Sequence, residues 1–551
     1  MRALFQSRAA ALVFLGLAAL AVLTGWIMIE RSSTIAVDGH RHFALFDDGM
    51  ITMRYADNLV SGRGLVWNPG ERVEGFSSPL WVFVLAGFIV VFGRETGVAA
   101  VQGFGLALVV ADMTLVALIA GRLLEGRKGR DIGALGAVFL TVTFYPLFFW
   151  SIMGMETGLL VPVLLLVVLL SLRQELTSRG RLIIALLLSF ACLLRPETLL
   201  FVVVHYAFEG VRRWRSGVRA RKALVAEGAL LVLPVLAYQV FRLAYYRRWI
   251  ANSHRLKLGG LGLTEQLGDG WRFCEPFLMW AGWLALALVL YLIVHAWRTP
   301  RASAGAGGRA SERTGDRMTA DYLFEFLLLF VAYALYQIGI GGDAWPLYVR
   351  FPAPATVLLI IAFAVAAVLA CAGLARARLW SGSVLAVTFL LLLRWTASLY
   401  RADLFTLTPI YSGAAAADID VALAIQRLTD ESATVATFAA GVIPYYSQRR
   451  AIDVLGKCDV VVAGMPVRAA VPWHPQAGRP GHNKYDLDYS IKQMRPTAIQ
   501  WIDLPPCTWG EQNLSQWCRA NYNEVDVAGT HFLLDKQSPL VKWNLVGAGR
   551  R

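Results

Sequence analysis

Pro79-Leu80-Trp81-Val82-Phe83-Val84-Leu85-Ala86-Gly87-Phe88-Ile89-Val90-Val91-Phe92 carries no charge, and whether it crosses a bilayer decides how the rest of the chain is laid out. As a helix it would reach about 21 Å at 1.5 Å per residue, short of the roughly 30 Å hydrocarbon core. Further apolar blocks lie at about residues 9–29, 98–121, 132–149, 157–172, 182–194, 197–210, 223–244, 275–296, 321–339, 351–374 and 379–397. The 551-residue chain is 57% apolar before its 49 glycines are counted and only 16% charged, with a mean hydropathy of +0.53. A soluble domain is about 45–50% apolar with glycine included, and about a quarter charged. This composition excludes a soluble enzyme, a disordered chain and a fibrous protein. It leaves a polytopic α-helical membrane protein.

The balance of 52 Lys+Arg against 38 Asp+Glu gives +14. In a soluble protein that surplus would point to nucleic acid; in a membrane protein it collects in cytoplasmic loops, and no nucleic-acid partner is expected. The basic clusters are Arg122, Arg127, Lys128 and Arg130; Arg173, Arg179 and Arg181; Arg212, Arg213, Arg215, Arg219, Arg221 and Lys222; the Gly/Ala/Ser/Arg-rich stretch 298–317; and Arg376 with Arg378. All five fall on one side if each of the eleven blocks crosses once and Pro79–Phe92 does not. The sequence therefore predicts about eleven spans, a juxtamembrane or re-entrant helix at the outer surface, and a retained first span entering from the cytoplasm. The transmembrane domain is expected over residues 1–399, with a first outer loop at 30–97. Residues 400–551 are more polar, with the β-rich stretch Ala433–Phe438 and turn signals at Pro444, Pro505 and Pro506, and read as an α/β domain on the outer side. Of six cysteines, Cys507 and Cys518 are placed to pair in an oxidising compartment, leaving Cys458 free.

In this topology the polar residues at the outer ends of the spans mark the candidate site, since ionisable groups at membrane depth are costly. The first outer loop holds the acid pair Asp47-Asp48, followed by a helix-like segment with Arg54, Tyr55 and Asp57. Alone, such a pair reads as acids at a helix N-terminus. It is joined by the glycine-punctuated string Gly62–Trp81 with Glu74, by Met155-Glu156-Thr157, by Arg195-Pro196-Glu197, by Asn252-Ser253-His254-Arg255-Leu256-Lys257, and by Gly341-Gly342-Asp343 with Arg350.

The ordered set NPGERVEGFSSPLW (68–81), MET (155–157), RPE (195–197), FRLAYYRRWIANSHRLK (241–257) and GGDAWPLYVRF (341–351) resembles bacterial integral-membrane glycosyltransferases of the GT-C class. It looks most like the mycobacterial cell-envelope terminal arabinofuranosyltransferase and its relatives. The C-terminal segment also fits, with Gly441–Tyr446, Ile452–Gly456 and Pro480–Lys484. The chain departs from that pattern at Ala251-Asn252-Ser253 and Ala344-Trp345-Pro346, where donor and acceptor would be read.

The resemblance implies a polyprenyl-phosphate-linked sugar donor, with arabinofuranose as the candidate sugar, a glycan, lipid or protein acceptor in the cell envelope, and a multi-pass location in a bacterial plasma membrane with the site facing outward. A hydroxyl acceptor needs a base, for which Asp47 and Asp48 are the candidates, Asp47 ranked first. The growing charge on the leaving phosphate needs cations, for which Lys257, Arg350, Arg195 and His254 stand, with Arg255 behind them. Arg54, Tyr55, Glu74, Glu156, Asn252, Asp343 and His482 are candidates for contacts with sugar or acceptor. Direct displacement with one base predicts inversion at the anomeric carbon. No cofactor is certain; Glu156 and Asp343 leave a divalent cation open, without a ligand spacing that decides it. The alternative is a lipid-linked-sugar or envelope-component transporter or flippase, which would use similar acids and arginines; no internal repeat supports it.

Overall fold

The computed structural model describes residues 4–173, 177–215, 221–258, 260–298, 310–343, 348–405, 410–468, 481–500, 512–527 and 529–546. The first apolar block is helix α1 (Arg8–Arg31), opened by Ser7, whose hydroxyl accepts from the Ala10 N–H. A hairpin of β1 (Ser33–Ile35) and β2 (Arg41–Phe43) leads to α2 (Asp47–Val60). Then come α3 (Pro79–Phe92), α4 (Arg94–Leu123), α5 (Arg130–Thr143), α6 (Tyr145–Ile152), α7 (Thr157–Ser171), α8 (Ser178–Leu194), α9 (Thr198–Arg215) and α10 (Arg221–Tyr246). The short α11 (Asn252–Leu258) precedes α12 (Leu263–Arg298), α13 (Ala310–Gly339), α14 (Ala353–Cys371) and α15 (Ala377–Phe405).

Each of the eleven apolar blocks is thus helical, but not each is a full span by its own length and composition. Among the described residues seven helices are long and apolar enough to cross, namely α1, α4, α10, α12, α13, α14 and α15. The block at 132–149, expected as one straight span, is two helices bent by 65°. Pro146 sits in the first turn of the second, and the chain breaks just before it at Phe144. Counting that pair as one span gives eight. α7 has 15 residues and α8 has 17, and α9 ends in Arg212, Arg213 and Arg215. Pro79–Phe92 is a helix of 14 residues, with Trp81, Val82, Leu85 and Ile89 turned inward and Phe83, Val90, Val91 and Phe92 exposed.

The core of the helical part is α14, nearly every side chain of which is buried among its neighbours. Close approach elsewhere depends on glycine. A Cβ on Gly105 of α4 would lie 1.9 Å from the Ser151 carbonyl oxygen of α6, and one on Gly158 of α7 would lie 2.7 Å from the Ser151 Cα. Small residues give membrane helices this contact, where lipid supplies no hydrophobic drive.

After α16 (Ile410–Leu428) the chain forms a five-stranded sheet of order β4-β3-β5-β7-β6. The strands are β3 (Thr434–Thr437), β4 (Arg450–Asp453), β5 (Ala498–Gln500), β6 (Tyr522–Val527) and β7 (Thr530–Asp535). β3 pairs in parallel with β4 and β5, while β7 runs antiparallel to β5 and β6. The β-rich stretch at Ala433–Phe438 is β3, and α17 (Val442–Ser447) follows it. Cys458 is free and Cys518 is disulfide-bonded; Cys507, its expected partner, lies outside the described residues.

Candidate active site

α2 is too short and too polar to be a span. Ten consecutive residues from Gly49 to Asn58 are nevertheless buried, because α3 packs on one side of it and α17 on the other. Its first turn carries Asp47 and Asp48, where acids suit the helix dipole. Successive helix positions point about 100° apart, so the two carboxylates face different surroundings.

Asp48 faces a cavity of about 200 Å³. Its Oδ2 accepts from Arg350 Nη1 at 3.0 Å, and its Oδ1 from Lys457 Nζ. Arg350 Nε donates in turn to Asp343 Oδ2 at 2.8 Å, and Lys257 Nζ lies 3.4 Å from Asp343 Oδ1. Behind them Arg195 is held by Glu156 and Glu197. The Phe351 ring lies between these cations, its centroid 4.3 Å from the Arg195 guanidinium, 5.5 Å from that of Arg350 and 5.8 Å from Lys257 Nζ. Burial opposes charge on Asp48, but Lys457, Arg350 and Lys257 outweigh it and hold the carboxyl well below the usual range. Burial, with Arg350 and Lys457 nearby, lowers Lys257 despite Asp343. His254 also lines the cavity, and burial followed by Lys257, Arg195 and Arg242 takes it down to about 4, so it is neutral at pH 7.

Asp47 points away from the cavity. Its Oδ1 accepts from the N–H groups of Gly441 at 2.9 Å and Val442 at 3.2 Å, capping α17. The approach is so close that a Cβ on Gly441 would sit 2.1 Å from the Asp47 carbonyl oxygen. The order of the acid pair is therefore the reverse of the one expected. Asp48 is the cavity carboxylate, and Asp47 ties α2 to the C-terminal unit.

Other expected contacts also turn out to brace rather than line the cavity. Arg54 bonds the Trp67 carbonyl at 2.6 Å and Asn68 Oδ1 at 3.0 Å. Tyr55 donates to the Val73 carbonyl at 2.8 Å and accepts from the Gly75 N–H at 2.9 Å. Glu74 takes bonds from Tyr238 Oη at 2.6 Å and Arg242 Nε at 2.7 Å, fixing α10 to the first loop. His482 does not line the cavity, but its neighbour Gly481 does approach it, since a Cβ there would lie 3.3 Å from Lys257 Cε. The structure thus brings together Asp48, Glu156, Arg195, His254, Lys257 and Arg350, with Asp343 behind them. Glu156 and Asp343 each face cations, and among the described residues no three His, Cys, Asp or Glu side chains gather to hold a metal ion.

Lys457 was not expected. It stands at the end of a tight turn in which Asp453 Oδ1 accepts from the N–H groups of Leu455 and Gly456, and Asp453 Oδ2 from that of Cys458 at 2.6 Å. Gly456 takes φ +82°, and a Cβ there would meet Val462 Cγ1 at 2.8 Å. Asn252 Nδ2 holds the same turn from α11, donating to the carbonyls of Gly456 at 2.9 Å and Lys457 at 3.0 Å. The signal was the glycine-ended segment Ile452–Gly456, one residue short of the lysine.

The cavity adjoins a second, apolar one of about 790 Å³, and Ser77, His254 and Tyr336 line both. Its walls come from α8, α9 and α10, with Leu193, Leu200, Val203, Leu231 and Val235 among them. A partly buried carboxylate among cations, beside an apolar groove between helices, is suited to an anion carried on a hydrophobic tail.

This fold is that of the GT-C class of membrane enzymes. The chain superposes on ArnT from Cupriavidus metallidurans, solved bound to undecaprenyl phosphate, with a TM-score of 0.55 and 12% identity, covering 96% of this chain and 98% of that one. It matches the apo Archaeoglobus fulgidus oligosaccharyltransferase with a TM-score of 0.55 and 12% identity over 96% of this chain and 75% of that one. Among curated proteins it is similar to the terminal β-(1→2)-arabinofuranosyltransferase of Mycobacterium tuberculosis, 29% identical over 315 residues. It is also similar to the Corynebacterium glutamicum protein of the same name, 27% identical over 322 residues. The matches take in 52% and 54% of this chain but only 45% and 44% of those relatives. A family described as a domain of unknown function (DUF8728) matches residues 409–534.

Proposed function

We propose that this chain is a glycosyltransferase that moves a sugar, arabinofuranose in first place, from a polyprenyl-phosphate donor to an acceptor hydroxyl of a cell-envelope glycan, lipid or protein. The site would lie on the outer side of a bacterial plasma membrane, with residues 400–551 as an outer domain over a transmembrane domain of residues 1–399. The observation that carries this reading is Asp48 in a cavity ringed by Lys257, Arg350 and Lys457 that opens into the apolar groove. The groove has the character of a place for the polyprenyl tail, and the cations that of a place for its phosphate.

In the reaction the acceptor oxygen attacks the anomeric carbon, its proton passes to Asp48, and the bond to the donor phosphate breaks with inversion. The phosphate gains negative charge as it leaves, which Lys257, Arg350 and Lys457 stabilise, with Arg195 behind. Each of these cations is already paired with a carboxylate. A donor phosphate must therefore draw cations from Asp48. That lifts a carboxyl otherwise held too low to be an effective base, so proton abstraction is favoured only once donor is bound.

The test is incubation of the purified protein with polyprenyl-phosphate arabinofuranose, mannose and glucose, following release of polyprenyl phosphate. Arabinofuranose donor is expected to be consumed and the Asp48→Asn variant to lose at least a hundredfold in kcat. Consumption of none of the donors, or full activity in Asp48→Asn, would overturn the reading; the first result would favour transport.

A further inference from the structure

Further along α2, about nine residues and therefore roughly 13 Å from Asp48, lies a second polar cavity of about 520 Å³. It sits in the seam between α2, the first loop and the C-terminal unit, and shares no lining residue with the catalytic cavity. Its volume is within the roughly 300–1,000 Å³ that holds small-molecule ligands.

Its charges do not balance. The buried Arg54 guanidinium bonds only uncharged acceptors, the carbonyls of Trp67, Pro444 and Arg449 and the Asn68 side-chain oxygen. Buried Arg449 is held the same way, by Thr429 Oγ1 at 3.1 Å and the carbonyls of Gln426 at 2.8 Å, Thr429 at 2.9 Å and Ser447 at 3.3 Å. Among the described residues neither has a carboxylate within ion-pair distance. Arg63 and Arg94 share Asp57, at 3.3 and 3.5 Å; Arg450 pairs with Glu71, and Lys542 lies 3.6 Å from Asp430. On the wall itself five cations, Arg54, Arg63, Arg449, Arg450 and Lys542, meet two carboxylates, Asp57 and Glu431. Burial, then Arg94 and Arg63, pull the Arg54 guanidinium down to about 10, which marks a cation short of counter-charge.

The wall also holds strained backbone. Gln448 takes φ +53°, a left-handed conformation unusual outside glycine, where α17 turns into β4 and presents Arg449 and Arg450. Such strain persists where the surroundings over-determine it, and it clusters at ligand sites. Asn58, Gln426 and Gln448 add uncharged groups able to bond hydroxyls.

We propose that this cavity binds an anionic saccharide, its phosphate or carboxylate group meeting Arg63, Arg450 and Lys542 against the field of Arg54 and Arg449. The inference does not depend on the reaction proposed above. Planar guanidinium groups pair with such oxyanions in two-bonded geometry.

Hydrogen exchange of the detergent-purified full chain locates binding directly. Glucose 6-phosphate and glucuronate are expected to slow exchange over residues 426–431 and 444–450, and glucose at the same concentration is expected not to. The double variant Arg63→Gln with Lys542→Gln should shift the half-protecting concentration at least tenfold, without altering exchange over 253–257 in the catalytic cavity. Arg450→Gln, at a more exposed position, gives a second test should the double variant melt early. Equal protection by glucose, a shift below twofold in both variants, or protection confined to 253–257 would overturn the proposal. Inorganic phosphate matching glucose 6-phosphate would overturn its saccharide part.

Discussion

Replacing Lys457 with Met is the sharpest test of the assembled site. Lys457 Nζ is bonded to Asp48, and the same carboxylate keeps Arg350 at 3.0 Å, so the variant still leaves Asp48 paired. A unit charge about 4 Å from a developing phosphate charge is worth roughly 4 kcal/mol at an effective dielectric of 20. The two remaining cations can relax to take up part of that. Loss of one preorganised donor at a developing anion typically costs about 10²–10³ in kcat. Without Lys457 the Asp48 carboxyl also rises, which aids proton abstraction and returns part of the loss. The expected net fall in kcat is therefore about a hundredfold, with a smaller change in donor KM and a Tm close to that of the parent. Initial rates of polyprenyl phosphate release measure it, and Lys457→Arg should recover activity partly. A folded Lys457→Met variant within threefold of the parent kcat would refute the assignment of Lys457 to the reacting phosphate.

Three further outcomes are expected. Gly441→Ala forces a Cβ against the Asp47 backbone, an overpacking cost of about 1–3 kcal/mol; a lower Tm and reduced activity should appear together, and an unchanged Tm would show that the contact yields freely. His254 is neutral in the folded chain down to about pH 4, whereas unfolded histidine titrates near 6.5. Between those values the unfolded state binds the extra proton, so stability falls as pH drops, by at most about 1.4 kcal/mol per unit; Tm measured against pH should lose that slope in His254→Gln. Finally, Val235→Trp fills the apolar groove and should raise KM about tenfold for a long-chain polyprenyl donor while sparing a short-chain analogue; equal effects on both would argue against a tail in the groove.

Much of the fold was legible because lipid imposes a simple rule on sequence. Long uncharged runs must be helices, and every apolar block proved to be one. What composition could not show was the 65° bend before Pro146, since a proline inside an apolar run reads equally as a tolerated kink or as a break. The site was half legible. Asp48, Lys257, Arg195 and Arg350 stand at helix ends near marked breaks in hydropathy, where polarity is informative. The order within Asp47-Asp48 was not legible, because it depends on the rotation of α2, which is set by packing against α3 and α17. Lys457 was hidden for a different reason. It lies about 400 residues from Asp48 in the chain, and only the folded turn of Asp453 and Gly456 brings it there. Arg54, Tyr55 and Glu74 looked functional because they are polar in a buried place; their hydrogen bonds show that they hold the first loop together.

The turn that carries Lys457 also sets an order of events during synthesis. Helices α1 to α15 precede β3 and β4 in the chain, so during synthesis Asp48 is made well before Lys457, one of the cations beside it. Only when the turn of β3 and β4 has folded and seated on α2 through Asp47 and on α11 through Asn252 is the charge set whole. On the function proposed above, an immature copy is slow to cleave donor until that turn is seated.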